Sequence, residues 1–85
     1  MKKIIIYTGP NCAFCNFAKA LLDSKKISYE EIDIGYDTNK REEMMEKANG
    51  MRTIPQIFIG NFHVGGNAEL QTLEKEGKLN ALVGI

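Results

Sequence analysis

The sequence predicts an α/β fold: a four-stranded mixed β-sheet flanked by helices, in the order β-α-β-α-β-β-α. Two patterns carry that prediction. A β-branched run, an amphipathic helix and a second β-rich run follow one another before Gly35, as a right-handed crossover between parallel strands requires. Two short β-rich runs then flank Gly60-Asn61, and helical segments close the chain.

Lys3-Ile4-Ile5-Ile6-Tyr7 suits a strand buried on both faces, and Thr8-Gly9-Pro10-Asn11 breaks it with turn chemistry. Phe14, Phe17, Ala18, Leu21 and Leu22 then fall at helical spacing, with Asn16, Lys19 and Asp23 opposite, which predicts an amphipathic helix over about 13–25. Its phenylalanines are expected in the core, with Phe14 partly exposed. Ser28 to Ile34 reads as the second strand. Asp37-Thr38-Asn39 followed by Glu42 resembles a capping box, Gly50 a stop, and the narrow face of Met44, Met45 and Ala48 a peripheral helix. Gln56–Ile59 and Phe62–Val64 read as a hairpin about a Gly-first turn. Asn67 is placed to cap a helix through Leu70 and Leu73 to Gly77, and Leu79 to Val83 forms a last short segment.

Eighty-five residues leave room for one domain, residues 1–85. With 44% hydrophobic and 26% charged residues, the composition excludes a disordered or low-complexity chain. No apolar run approaches the ~20 residues of a membrane span, and the run at Met1 to Ile6 stops short of a signal-peptide core. A soluble, cytosolic protein is expected. Eleven basic and eleven acidic residues balance, so nothing draws the chain to nucleic acid or anionic lipid. The charges are segregated, however. Lys2, Lys3, Lys19, Lys25 and Lys26 face only Asp23 in the first 26 residues, whereas Glu30, Glu31, Asp33, Asp37, Glu42, Glu43 and Glu46 follow within the next 20. A mildly basic end facing the cysteines is the expectation, beside the plainer one of solvated surface charge.

The chemistry lies in Cys12-Ala13-Phe14-Cys15, between the first strand and the first turn of the first helix. A loop this short constrains the unfolded chain by only about 2 kcal/mol, so the pair is a poor staple. At a helix N-terminus the unpaired N–H groups and the dipole favour the Cys12 thiolate, and Cys15 lies one turn on, within reach of its sulfur. The first is a candidate nucleophile and the second a candidate resolving thiol. Lowering a thiol pKa from ~8.5 to ~5 raises the thiolate fraction about 30-fold at pH 7, while nucleophilicity falls by roughly the same factor. What improves is Cys12 as a leaving group. Structural zinc fits poorly, because His63 is the only histidine and no second cysteine pair exists. Two inert core cysteines are the other alternative, though Cys12 sits in a turn. His63 itself reads as a structural or surface residue.

The strand, the Cys-x-x-Cys helix, Thr53-Ile54-Pro55 and Gly65-Gly66, in this order and spacing, resemble a short bacterial glutaredoxin over about residues 3 to 83. The resemblance implies a thioredoxin-like fold and glutathione-dependent reduction of protein disulfides and glutathione mixed disulfides. By position Cys12 would accept glutathione and Cys15 would resolve. Pro55 matches the family's cis-proline, leaving the Ile54 backbone open to an extended thiol peptide, with Thr53 and Phe14 alongside. Gly66, Asn67 and Ala68 match the segment that holds the γ-glutamyl end of glutathione. Several positions depart from the family pattern. Ala13 and Phe14 replace Pro and Tyr, and loss of that proline often accompanies a [2Fe-2S] cluster held by two monomers and two glutathiones, here through Cys12. Gly9 stands where lysine is frequent, and Ala68 where an aspartate often binds the glutathione amino group. Arg52 or Lys40 is the candidate cation for the glycyl carboxylate. The implied partners are glutathione and disulfide-bearing or glutathionylated proteins. One alternative is an electron donor to ribonucleotide reductase, recycled by thioredoxin reductase; no nucleic acid or membrane partner is implied, and a monomer is expected.

Overall fold

The computed structural model describes residues 1–85. The elements are β1 (Ile4–Thr8), α1 (Ala13–Ser24), β2 (Glu30–Asp33), α2 (Thr38–Lys47), β3 (Gln56–Ile59), β4 (Phe62–Gly65), α3 (Asn67–Lys75) and α4 (Leu79–Val83). They form one sheet in the order β2-β1-β3-β4. β1 pairs in parallel with β2 and antiparallel with β3, and β3 pairs antiparallel with β4, so the mixed sheet and the crossover are as expected.

Period-two alternation divides the sheet into two faces. Ile4, Ile6, Ile57, Ile59 and Val64 point to one side, where Ala18 and Leu22 of α1, Leu70 of α3, and Leu79 and Val83 of α4 cover them. Tyr7 and Phe58 point to the other, where they meet Ile34, Met44 of α2 and Ala48 at its C-terminal cap. Met44 and Ala48 are fully buried, so α2 seals a sheet face and is not the peripheral helix expected. Its apolar surface is narrow because that face of the sheet offers little to cover.

Other differences are local. On α1 the buried residues are Cys15, Ala18 and Leu22, whereas Phe17 is 57% and Phe14 63% exposed. The buried stripe is turned by one residue from the expected one, since Cys15 takes the core position between the two rings. β2 is a sheet edge, and its residues are mostly exposed. Asp37, not Asn39, caps α2 by accepting from the Lys40 N–H at 3.0 Å, which places lysine where a capping box needs Glu. The left-handed stop after α2 is Asn49 (φ +56°), with the Gly50 N–H donating to Met45 O at 2.7 Å in a Schellman-type closure. At the hairpin, Gly60 takes positive φ (+57°) and Asn61 does not, as the first position of a type II′ turn requires.

The segregated charges meet across the fold. Lys3 pairs with Glu30, Lys19 with Glu31 and Lys25 with Glu74, each at 3.0 Å. The expected basic end facing the cysteines does not form, because Lys2 and Lys3 precede β1 and Lys25 and Lys26 follow α1, at the ends of those elements away from Cys12.

Candidate active site

β1 ends at Thr8, and the chain turns through Gly9, Pro10 and Asn11 (φ +55°) into α1. Cys12 is the N-cap of α1 with extended backbone (φ −114°, ψ 98°), and its Sγ accepts a hydrogen bond from the Cys15 N–H at 3.1 Å. Helix geometry thus brings a backbone donor and the positive end of the dipole to this sulfur. Cys12 and Cys15 form a disulfide with Cα atoms 5.2 Å apart, within the span such a bond requires. Their exposure differs. Cys12 is half-buried at the surface, while Cys15 is 1% exposed and packed inward. Of the two sulfurs, that of Cys12 is the one open to solvent.

Across from Cys12 runs Thr53-Ile54-Pro55, with a cis peptide at Ile54-Pro55. The Ile54 carbonyl oxygen lies 3.9 Å from Cys12 Sγ, and no group of the chain accepts from the Ile54 N–H. The backbone of Ile54 is therefore free to pair with an extended peptide. Gly9 packs against the Ile54 side chain, where a Cβ would stand 2.7 Å from the terminal Cδ1, an atom that a turn of the Ile54 side chain would move aside.

A cleft of about 190 Å³ continues from this point, lined by Phe14, Thr53, Ile54, Pro55, Gly66, Asn67, Ala68 and Glu69. All seven cleft residues expected from the sequence are brought together. The N-cap of α3 is Gly66, with Asn67 in the first turn, so the expected Asn67 cap is displaced by one residue. Asn67 instead accepts from Gln71 Nε2 at 3.1 Å through its side chain. The first-turn N–H groups of α3 have no intrahelical acceptor, and this end of the helix lines the cleft.

Glu69 was not among the expected residues. Its Oε1 accepts from the Gly66 N–H at 2.6 Å, placing a carboxylate at the mouth of the cleft beside Ala68. The signal in the sequence was a Glu three residues after the cap, which reads as half a capping box and hides its second position. Gly65, just before the cap, has φ +111°, a conformation that favours glycine, and a Cβ there would press on the Glu69 carboxylate, 2.8 Å from Oε1.

The remaining expected residues lie apart. Lys40 is tied to Glu43 at 3.3 Å on α2, whereas Arg52 is exposed beside Thr53 and forms no ion pair. His63 bonds to Gln56 and stacks on Phe58, the structural role expected for it. No group of three or more His, Cys, Asp and Glu side chains converges anywhere, so the residues of one chain do not fit an iron-sulfur cluster by themselves. A wider groove of about 340 Å³, between Met1–Ile4 and Ser28–Glu30, lies at the opposite ends of β1 and β2 and contains neither cysteine.

Two polar networks brace the loop from below. The Thr8 hydroxyl donates to Glu31 Oε2 at 2.7 Å, and that bond, aided by Lys19 and opposed by partial burial, holds the Glu31 carboxyl below its usual range. On the other face the Tyr7 hydroxyl donates to Glu43 Oε2 at 2.6 Å, which lowers Glu43 in the same way. Burial, and then Glu43, push the Tyr7 phenol well above its ordinary range.

Comparison with known proteins follows this geometry. A family model described as Glutaredoxin matches residues 4–64. Glutaredoxin 1 of Rickettsia prowazekii is 51% identical over 81 residues, spanning 94% of this chain and 85% of that protein. Glutaredoxin 3 of Escherichia coli K12 is 45% identical over 83 residues, spanning 98% and 99%. The solution structure of a glutaredoxin from Brucella melitensis superposes with a TM-score of 0.85 at 48% identity, covering 100% of this chain and 94% of that one. The shared architecture is the thioredoxin-like one: a four-stranded mixed sheet with flanking helices. No helix is long and apolar enough to cross a membrane.

Proposed function

This chain belongs to the glutaredoxin family of thiol-disulfide oxidoreductases, and from that premise we propose that it reduces glutathione mixed disulfides and protein disulfides at Cys12, with glutathione as co-substrate. The observation that carries the proposal is the half-buried Cys12 sulfur opposite the unpaired Ile54 backbone, at the mouth of a cleft that ends on the free N–H groups of α3.

The steps follow from that arrangement. An extended glutathionyl group pairs with Ile54, its γ-glutamyl carboxylate lies beside Gly66 on the unpaired N–H groups of Asn67 and Ala68 at the start of α3, and Phe14, Thr53 and Pro55 wall its path. The Cys12 thiolate attacks the glutathione sulfur, the S–S bond to the protein breaks, and the protein thiolate leaves and takes up a proton. A second glutathione thiolate then attacks the glutathione sulfur on Cys12, which forms glutathione disulfide and frees the Cys12 thiolate. Alternatively Cys15 attacks Cys12, expels glutathione and forms the Cys12–Cys15 disulfide, which two further glutathiones reduce. By either route the net change is one mixed disulfide plus one glutathione thiol giving one protein thiol plus glutathione disulfide, so thiols and disulfides balance. Such chemistry suits a monomer in a reducing compartment, the cytoplasm in a bacterium.

The discriminating experiment supplies NADPH through glutathione plus glutathione reductase, or through thioredoxin reductase alone. Turnover of a glutathionylated peptide only in the first system supports the reading. Turnover only in the second overturns it in favour of a glutathione-independent donor, for example to ribonucleotide reductase.

A further inference from the structure

Gln56 opens β3 and is fully buried, yet every polar atom of its side chain is engaged. Its Nε2 donates to Thr53 O at 3.0 Å and to Thr53 Oγ1 at 3.1 Å, and its Oε1 lies 2.6 Å from His63 Nε2. A carbonyl can only accept, so the amide nitrogen must face Thr53 and the oxygen must face His63. It follows that Nε2 of His63 carries the proton. The His63 ring is held in turn by stacking on Phe58, with centroids 4.8 Å apart and planes 20° apart. The two-residue turn sets His63 opposite Phe58, on the face that Gln56 also occupies, and the bulge that gives β4 one extra residue follows only beyond that pair.

Neither Gln56 nor His63 touches Cys12, but Thr53 leads directly into Ile54, whose backbone flanks the sulfur. We propose that Gln56 is a positioning residue for the Thr53-Ile54 segment, and that His63 locks its amide in the one orientation that holds both bonds to Thr53. The inference deepens the proposed function and rests on it. Gln56 fixes the edge on which an extended substrate pairs, so it acts on substrate binding and leaves the thiol chemistry of Cys12 alone.

The test uses Gln56→Met, which keeps volume and removes all three bonds, and His63→Phe, which keeps the stack and removes only the lock. The readouts are KM and kcat for a glutathionylated peptide, and the rate at which iodoacetamide alkylates reduced Cys12 in a Cys15→Ser background. Gln56→Met is expected to raise KM about five- to tenfold, the loss of one to two hydrogen bonds. His63→Phe should raise it about two- to threefold, with kcat and alkylation within twofold for both variants. A KM within twofold of wild type in folded His63→Phe and Gln56→Met overturns the proposal, as does alkylation that slows in step with KM. If Gln56→Met does not fold, His63→Phe decides alone. Nitrogen-15 spectra of His63 give a readout free of turnover: a proton on Nε2 is expected, and one on Nδ1 refutes the lock. A wild-type protein that fails to turn over the peptide overturns the glutathione reading instead, and leaves the tautomer to decide this one.

Discussion

Glutathione carries an ammonium next to its γ-glutamyl carboxylate, and at Ala68 this chain has no side chain to meet it. Glu69 stands in the cleft one residue on, with Oε1 committed to the Gly66 N–H and Oε2 free of any bond. Glu69→Gln keeps the acceptor for Gly66 and removes the charge. An ion pair at ~4 Å in water-like dielectric is worth about 1 kcal/mol, and screening at physiological salt reduces it to roughly 0.6. The expected outcome is a KM for glutathione raised about threefold near 0.15 M salt and about fivefold at low salt, with kcat unchanged. The same substitution removes a negative charge from the first turn of α3, worth about 0.3–1 kcal/mol, so Tm should fall by about 2–6 °C. Steady-state kinetics with glutathione and with its N-acetyl derivative isolate the interaction, because acetylation removes the ammonium. Wild type should lose affinity on acetylation and Glu69→Gln should not. Equal losses for both proteins would refute the argument.

Three further outcomes follow from the same structure. Tyr7→Phe leaves a fully buried ring in place and removes its 2.6 Å bond to Glu43, so chemical denaturation should show a loss of about 1–2 kcal/mol; no change would mean that water replaces the hydroxyl without cost. Acid should weaken the fold through Glu31 and Glu43. Both carboxyls are held below the ordinary carboxylate range in the folded state, so their contribution is complete above the unfolded-state value and is lost as pH falls through the lower folded values. Unfolding curves between pH 7 and pH 3 should show this decline, made shallower in Tyr7→Phe because its hydroxyl is the main cause of the Glu43 shift. Phe17→Lys should change stability by less than about 0.5 kcal/mol, whereas Leu22→Ala should cost about 2–5 kcal/mol; a larger Phe17 effect would show that its ring packs after all.

Legibility in the sequence followed the strength of each local signal. Ile4 to Tyr7 can hardly be anything but a strand, and Cys12 to Cys15 at a strand-helix junction places its own sulfurs, so these elements were read correctly to within a residue or two. Hydrophobic periodicity counts a phenylalanine above a cysteine and so places Phe17 in the core. The fold inverts that order, burying Cys15 at 1% exposure and leaving Phe17 outside. α2 looked peripheral because its polar residues dominate the average, although Met44 and Ala48 suffice for the small face they cover. Gln56 and Glu69 escaped notice for a shared reason. Each is polar at the start of an element, where solvent is the default partner, and only the tertiary approach of Thr53, His63 and Gly66 gives them others.

The most direct measurement is intact mass of reduced protein mixed with oxidised glutathione, compared among wild type, Cys12→Ser and Cys15→Ser, with peptide mapping of any adduct. Cys15→Ser should trap one glutathione on Cys12, Cys12→Ser should trap none, and wild type should pass on to the Cys12–Cys15 disulfide. A stable adduct on Cys15 in Cys12→Ser, or no adduct on Cys12 in Cys15→Ser, would contradict the assignment of Cys12 as the sulfur that receives glutathione.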